Sequence, residues 1–123
     1  MIEVQHLTKR YGSHLAVDDL SFSVQQGVIY GLLGPNGAGK STTMNILTGY
    51  ISATSGTVTI DGHDVLEEPG AARACIGYLP EQPPLYPDMT VEESLRFAAE
   101  LKGVRRAERF SQVEKAMART GLE

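Results

Sequence analysis

The sequence predicts an α/β or α+β domain with a mixed sheet, on three observations. Apolar and polar residues alternate strictly over Leu20–Val24, which indicates a half-buried strand. The nearly continuous apolar run Val28–Leu33 is typical of a strand covered on both faces, as in a parallel sheet. Apolar residues at helical spacing occupy the C-terminal part of the chain. Strands followed by a loop, a helix, more strands and further helices favour a layered α/β fold.

The other strands are short and are bounded by turn residues. Ile2–Thr8 alternates loosely and leads to the turn Tyr11-Gly12-Ser13. Thr57–Ile60 ends at the pair Asp61-Gly62, which indicates a hairpin turn rather than a metal-binding aspartate at a strand end. We therefore assign Asp61 no metal. Ile76–Leu79 is a fourth apolar run, closed by a proline.

Three helices are predicted from their boundary signals. Ser41–Thr48 follows a glycine-rich loop, and Gly49 stands in the usual stop position. A capping box at Thr90–Glu93 begins a helix that runs to about Lys102. The last helix spans about Arg106–Thr120. The predicted apolar stripes are Val91, Leu95, Ala98 and Leu101 on the second helix, and Ala107, Phe110, Val113 and Met117 on the third.

Composition excludes several classes of protein. The chain has 123 residues, 41% hydrophobic and 21% charged, as is ordinary for a globular domain with a core. The net charge of −4 provides no field for a nucleic acid, so no nucleic acid partner is expected. A single cysteine, Cys75, forms no disulfide framework, and the histidines have no metal-ligand spacing. No signal segment or long apolar span is visible, so we expect a cytoplasmic protein.

The segment Gly34–Ser41 matches the phosphate-binding pattern G-x-x-x-x-G-K-[ST] without deviation. Glycines allow backbone N–H groups to curl around phosphate oxygens, and the helix that follows adds the positive end of its dipole. Lys40 would reach the outer phosphates, while the Ser41 hydroxyl is a hard ligand for Mg²⁺. We thus predict a nucleoside triphosphate and Mg²⁺ as ligands. The predicted phosphate-binding residues are Gly34, Pro35, Asn36, Gly37, Ala38, Gly39, Lys40, Ser41 and Thr42.

Separate segments of the chain resemble one family of P-loop NTPases, in that family's order and spacing. Leu33–Thr43 is similar to the first nucleotide motif of ATP-binding-cassette (ABC) transporter ATPases. Leu7–Gly12 with Ala16–Phe22, Ser55–Gly62 and Ile76–Gln82 continue the resemblance. It covers essentially the whole chain and implies ATP as the nucleotide.

The resemblance implies further site residues. Tyr11 falls where these ATPases place an aromatic ring that stacks on adenine, and Val17 would support the same ring. Tyr11 could instead be a turn tyrosine, and Val17 a core valine. Gln82 falls at the position of a family glutamine that helps to hold Mg²⁺ and the attacking water. Ser41 and Gln82 would thus both be ligands of Mg²⁺. Without its context Gln82 would be an ordinary loop residue. Lys40 and Gln82 would support catalysis.

The resemblance also implies an organisation and partners. Residues 1–82 would be the N-terminal part of the ATPase core, and residues 83–123 the start of a helical subdomain. The signature motif, the strand ending Asp-Glu and the switch histidine do not occur in residues 83–123. We expect no hydrolysis by these 123 residues alone, and marginal stability. The expected partners are a membrane permease, which would hold the protein at the inner face of the membrane, and a second ATP-binding domain arranged head to tail.

The segments Tyr78–Tyr86 and Met89–Leu95 are most similar to export-type systems. The alternative is a non-catalytic nucleotide-binding or regulatory module. A GTPase is disfavoured because the guanine-reading pattern Asn-Lys-x-Asp is missing. A small-molecule kinase would not explain Tyr11 and Gln82 at these positions.

Overall fold

The computed structural model describes residues 1–35, 37 and 39–122, and the chain divides into two compact units, Met1–Tyr78 and Leu79–Glu123. The first contains β1 (Ile2–Tyr11), β2 (His14–Val24), α1 (Lys40–Leu47), β3 (Ser55–Ile60), β4 (His63–Asp64) and α2 (Pro69–Ala74), and the second contains α3 (Val91–Leu101) and α4 (Arg106–Thr120).

The strands of the first unit form one sheet in the order β2-β1-β3-β4, and every pair is antiparallel. The β1–β2 hairpin turns at Gly12, whose φ is 57°. The β3–β4 hairpin turns at Asp61 and Gly62, with φ of 49° and 81°. Two positive φ values in a two-residue turn define type I′, which matches the twist of the flanking strands. The predicted hairpin turn is confirmed.

One apolar cluster joins α1 to the sheet. Val58 and Ile60, two residues apart on β3, supply one face of the cluster together with Val4 and Leu7 of β1, between which the pairing with β2 shifts register. Ile46 and Leu47 of α1 supply the other side. The C-terminal turn of α1 is therefore held against the sheet. The buried members are Val4, Leu7, Val17, Ile46, Leu47, Val58 and Ile60.

The helices of the second unit confirm the boundary predictions. Thr90 caps α3 through a complete capping box, in which the Glu93 N–H donates to Thr90 Oγ1 and the Thr90 N–H donates to Glu93 Oε2, both at 3.1 Å. Gly121 ends α4 in the left-handed conformation, with φ of 71°. Val113 is buried, but Phe110 is 66% exposed and Leu101 71%. The predicted stripes are thus covered only in part among the described residues.

The predicted buried strand Val28–Leu33 is wrong. The segment is irregular, and most of its apolar side chains are open to solvent, with Ile29 fully exposed and Leu33 93% exposed. An apolar run becomes a strand only where neighbouring strands satisfy its backbone N–H and C=O groups, and none of the described strands pairs with it. The Tyr30 ring instead stacks on Phe22 of β2, with centroids 5.3 Å apart.

The α/β class is confirmed, although the described sheet is antiparallel throughout rather than mixed. The apolar run Ile76–Leu79 is likewise irregular. The sequence reasoning missed β4 and α2. β4 has only two residues, too few for a periodicity signal, whereas Pro69 at the start of α2 is a recognisable helix-start residue.

Candidate phosphate-binding site

The predicted phosphate-binding loop lies between the irregular Val28–Leu33 segment and α1. Gly34, Pro35 and Gly37 are exposed to solvent. Gly37 and Gly39 have φ of 88° and 92°, a conformation that a side chain would disfavour. The backbone therefore favours glycine at these two positions. The predicted residues Asn36 and Ala38 lie outside the described residues.

The N-terminus of α1 presents no negative charge of its own. Gly39 is the N-cap and has no side chain with which to accept from the first N–H groups. The first turn contains no acidic residue. Thr43 fixes this end, since its N–H and Oγ1 both donate to the Gly39 carbonyl oxygen, at 2.9 and 2.7 Å. A helix end of this kind attracts an anion.

The cationic side chain of the motif contacts the first residue of the motif. Lys40 Nζ donates to the carbonyl oxygen of Gly34, the first residue of the pattern. Ser41 is exposed and Thr42 half-buried. An ammonium group, a hydroxyl and the uncapped helix end thus occur within a few residues of one another. This donor set fits a polyphosphate with a hard cation.

An irregularity in β2 places the loop against the sheet. Lys9 pairs with Val17 while Arg10 pairs with Leu15, so Ala16 is an extra residue that no β1 residue opposes. A Cβ atom on Gly39 would lie 2.5 Å from the Ala16 carbonyl oxygen and 3.1 Å from Val17 Cγ2. Only glycine lets the loop approach β2 this closely. Val17 is also buried in the core cluster, at 6% exposure.

Tyr11 is the last residue of β1, and its side chain is 48% exposed. The ammonium group of Lys9 lies 5.1 Å from the centroid of the Tyr11 ring. Sequence reasoning did not single out Lys9. The two-residue period of a strand could have indicated it, because residues 9 and 11 share one face.

Comparison with known proteins identifies the family. The sequence pattern described as "ABC transporter" matches residues 17–123. The chain belongs to the ABC transporter family. It is 45% identical to the probable multidrug ABC transporter ATP-binding protein YbhF of Escherichia coli, over 85% of this chain and 18% of that protein. It is 37% identical to the Nod factor export ATP-binding protein I of Cupriavidus metallidurans, over 100% of this chain and 41% of that protein.

A solved ATP-binding subunit of an ABC transporter has the same fold, with a TM-score of 0.86 and 34% identity. The match covers 99% of this chain and 51% of that one. The chain thus spans less than half of the two curated relatives and about half of the solved subunit. The P-loop fold predicted from the sequence is confirmed as a partial ABC ATPase domain.

Gln82, which the resemblance predicts to help hold Mg²⁺ and the attacking water, lies in the second unit. It is exposed, in an irregular segment that precedes α3. Tyr11 and the phosphate-binding loop lie in the first unit. The role of Gln82 beside Mg²⁺ therefore stays a prediction.

Among the described residues of this ABC ATPase domain, no three His, Cys, Asp or Glu side chains are grouped as a metal site. Asp61 accepts from the Met1 amino group at 2.5 Å, and this hydrogen bond, together with the charge of that group, lowers the pKa of the Asp61 carboxyl. Asp61 is thus a paired residue of the β3–β4 hairpin turn, as the sequence predicted for the turn. No helix in the described part of the chain has the length and apolar character needed to cross a membrane.

Proposed function

We propose that this chain binds the phosphates of Mg-ATP as the ATP-binding part of an export-type ABC transporter. The observation that supports this best is the local structure of the loop: a positive-φ Gly39 that contacts β2, an uncapped helix end without acidic residues, and Lys40 bonded to the Gly34 carbonyl oxygen. The uncapped helix end and the Lys40 ammonium group both attract an anion, and they occur at a sequence pattern typical of phosphate-binding loops.

Different residues of the described chain would bind different parts of Mg-ATP. Lys40 would exchange its bond to the Gly34 carbonyl for bonds to phosphate oxygens, which are charge-assisted and stronger. The first N–H groups of α1 would bind oxygens near the helix end. The exposed Ser41 hydroxyl would be a ligand of Mg²⁺, which would neutralise part of the phosphate charge. Tyr11 would stack on adenine, and its ring is accessible for this because about half of the side chain is open to solvent.

Hydrolysis is not assigned to these residues. By resemblance, the general base, the signature motif and the switch histidine would come from outside the 123 residues. Phosphoryl transfer depends mainly on positioning and electrostatic stabilisation, so their absence would leave binding without efficient cleavage. The proposal therefore assigns nucleotide binding and positioning to this chain.

A membrane permease and a second ATP-binding domain are the proposed partners, and export is the proposed direction. Two relatives named for multidrug transport and Nod factor export support the direction.

Exposed apolar side chains on α3 and α4, such as Leu101 and Phe110, support a docking role for the second unit. Phe110→Ser should reduce co-purification with the permease, and unchanged co-purification would contradict this role.

Titration of the full-length protein with ATP tests the proposed function. Lys40→Ala should weaken ATP binding about ten-fold or more, since a hydrogen bond to a charged group contributes about 1.5–3 kcal/mol. Affinity for adenosine, which has no phosphates, should not change. Lys115→Ala on the exposed face of α4 removes the same charge elsewhere and should bind ATP normally.

Equal ATP affinity for the Lys40→Ala and unsubstituted proteins would contradict the role of Lys40. The rate of ATP hydrolysis, measured in the same samples, distinguishes a transport ATPase from a non-catalytic nucleotide-binding module. Binding with hydrolysis by the full-length protein supports a transport ATPase, whereas binding without hydrolysis supports the non-catalytic nucleotide-binding module.

A further inference from the structure

Lys9 has contacts that connect Tyr11 to the segment following α1. Its ammonium group lies over the Tyr11 ring, 5.1 Å from the centroid. The same group donates to the carbonyl oxygen of Ser52 at 2.8 Å. Ser52 follows α1 closely in the chain, after Gly49 at the end of that helix. The Lys9 ammonium group therefore contacts both the Tyr11 ring and the segment that follows α1. The N-terminus of α1 lies next to the phosphate-binding loop.

The backbone around Lys9 holds this arrangement rigidly. The Thr54 N–H donates to the Thr8 carbonyl oxygen at 2.9 Å. The Arg10 N–H donates to Thr54 Oγ1, also at 2.9 Å. These bonds flank Lys9 on both sides and tie the end of β1 to the segment between α1 and β3. The Lys9 side chain is itself half-buried, which limits its conformational freedom.

We propose that Lys9 is a positioning residue that holds the Tyr11 ring for stacking on the nucleobase. A cation over an aromatic face is attracted by the ring quadrupole, and this attraction fixes the ring plane. Because Lys9 occupies one face of the ring, the base would stack on the opposite face. The anchor on Ser52 then sets the ring at a defined place relative to α1. This inference rests on the proposed nucleotide-binding function.

The test compares ATP with inorganic tripolyphosphate, both with Mg²⁺, on the full-length protein. Lys9→Met keeps the apolar stem of the side chain and removes the ammonium group. We expect it to weaken ATP binding about three-fold while leaving tripolyphosphate affinity unchanged, given the strength of an exposed cation–π contact. Lys9→Arg preserves the cation and should restore the ATP affinity. Lys115→Met removes an equal charge from α4 and should match the unsubstituted protein.

Tyr11→Ala distinguishes a role of Lys9 that acts through the Tyr11 ring from a merely structural role. In the Tyr11→Ala background, Lys9→Met should have no further effect on the ratio of the two affinities. Equal losses for ATP and tripolyphosphate would show that Lys9 acts only as a charge, and would overturn the inference. Unchanged ATP binding in Lys9→Met would also overturn it. An unsubstituted protein that bound neither ligand would overturn the proposed function, and the inference with it.

Discussion

The carbonyl oxygen of Ala16 lies 2.5 Å from the position that a Cβ atom on Gly39 would occupy. Ala16 is the extra residue of an irregularity in β2, and Gly39 is the N-cap of α1. The strand therefore bears directly on the backbone of the phosphate-binding loop. This contact connects the antiparallel sheet to the site, since any side chain at position 39 would push the loop away from β2.

Gly39→Ala should both destabilise the first unit and weaken ATP binding. A positive φ costs a non-glycine residue about 1–2 kcal/mol, and the contact with Ala16 adds to that cost. Gly27→Ala is the matched control, because Gly27 has φ of 81° but nothing within 4 Å of its Cβ position. Chemical denaturation and ATP titration of both variants would measure the two effects. Equal losses of stability, with ATP affinity intact in Gly39→Ala, would contradict the assigned contact.

Thr43→Val should weaken ATP binding with only a moderate loss of stability. Thr43 is 1% exposed, and its Oγ1 donates to the Gly39 carbonyl oxygen at 2.7 Å. That oxygen keeps the bond from the Thr43 N–H, so removing the hydroxyl should cost about 1 kcal/mol. Thr48→Val removes a similar bond, from Thr48 Oγ1 to the Met44 carbonyl, at the opposite end of α1. If both substitutions changed ATP affinity alike, Thr43 would have no particular role in holding the loop.

Local signals in the sequence were sufficient for elements whose causes are local. The Asp61-Gly62 turn, the capping box at Thr90 and the bounds of α4 depend on a few neighbouring residues, and the structure confirms them. The strand predicted over Val28–Leu33 was wrong because a strand also requires neighbouring strands to pair with, and the hydrophobic pattern of a segment does not show whether they are present. The loop pattern was visible, but the irregularity at Ala16 depends on strand register.

Thr90→Ala should destabilise α3 by about 1 kcal/mol, the usual cost of losing an N-cap hydroxyl. The substitution removes the acceptor of the Glu93 N–H and leaves one half of the capping box. Thr90→Ser retains the hydroxyl and should stay close to the original stability. Circular dichroism during denaturant unfolding would report the difference. A Thr90→Ala protein as stable as Thr90→Ser would show that the capping box contributes nothing measurable.

The Asp61 carboxyl should titrate below its usual range. The hydrogen bond from the Met1 amino group is the largest cause of the lowered pKa, followed by the charge of that group, with smaller contributions from Cys75 and His63. Because the folded state has the lower pKa, the pair stabilises the fold above the pKa of the unfolded state. That contribution is lost as the pH falls through the folded value. Acetylation of the amino group should raise the Asp61 pKa toward normal, as measured by NMR titration of the carboxyl carbon. An identical titration curve for the acetylated protein would show that the amino group is not the cause.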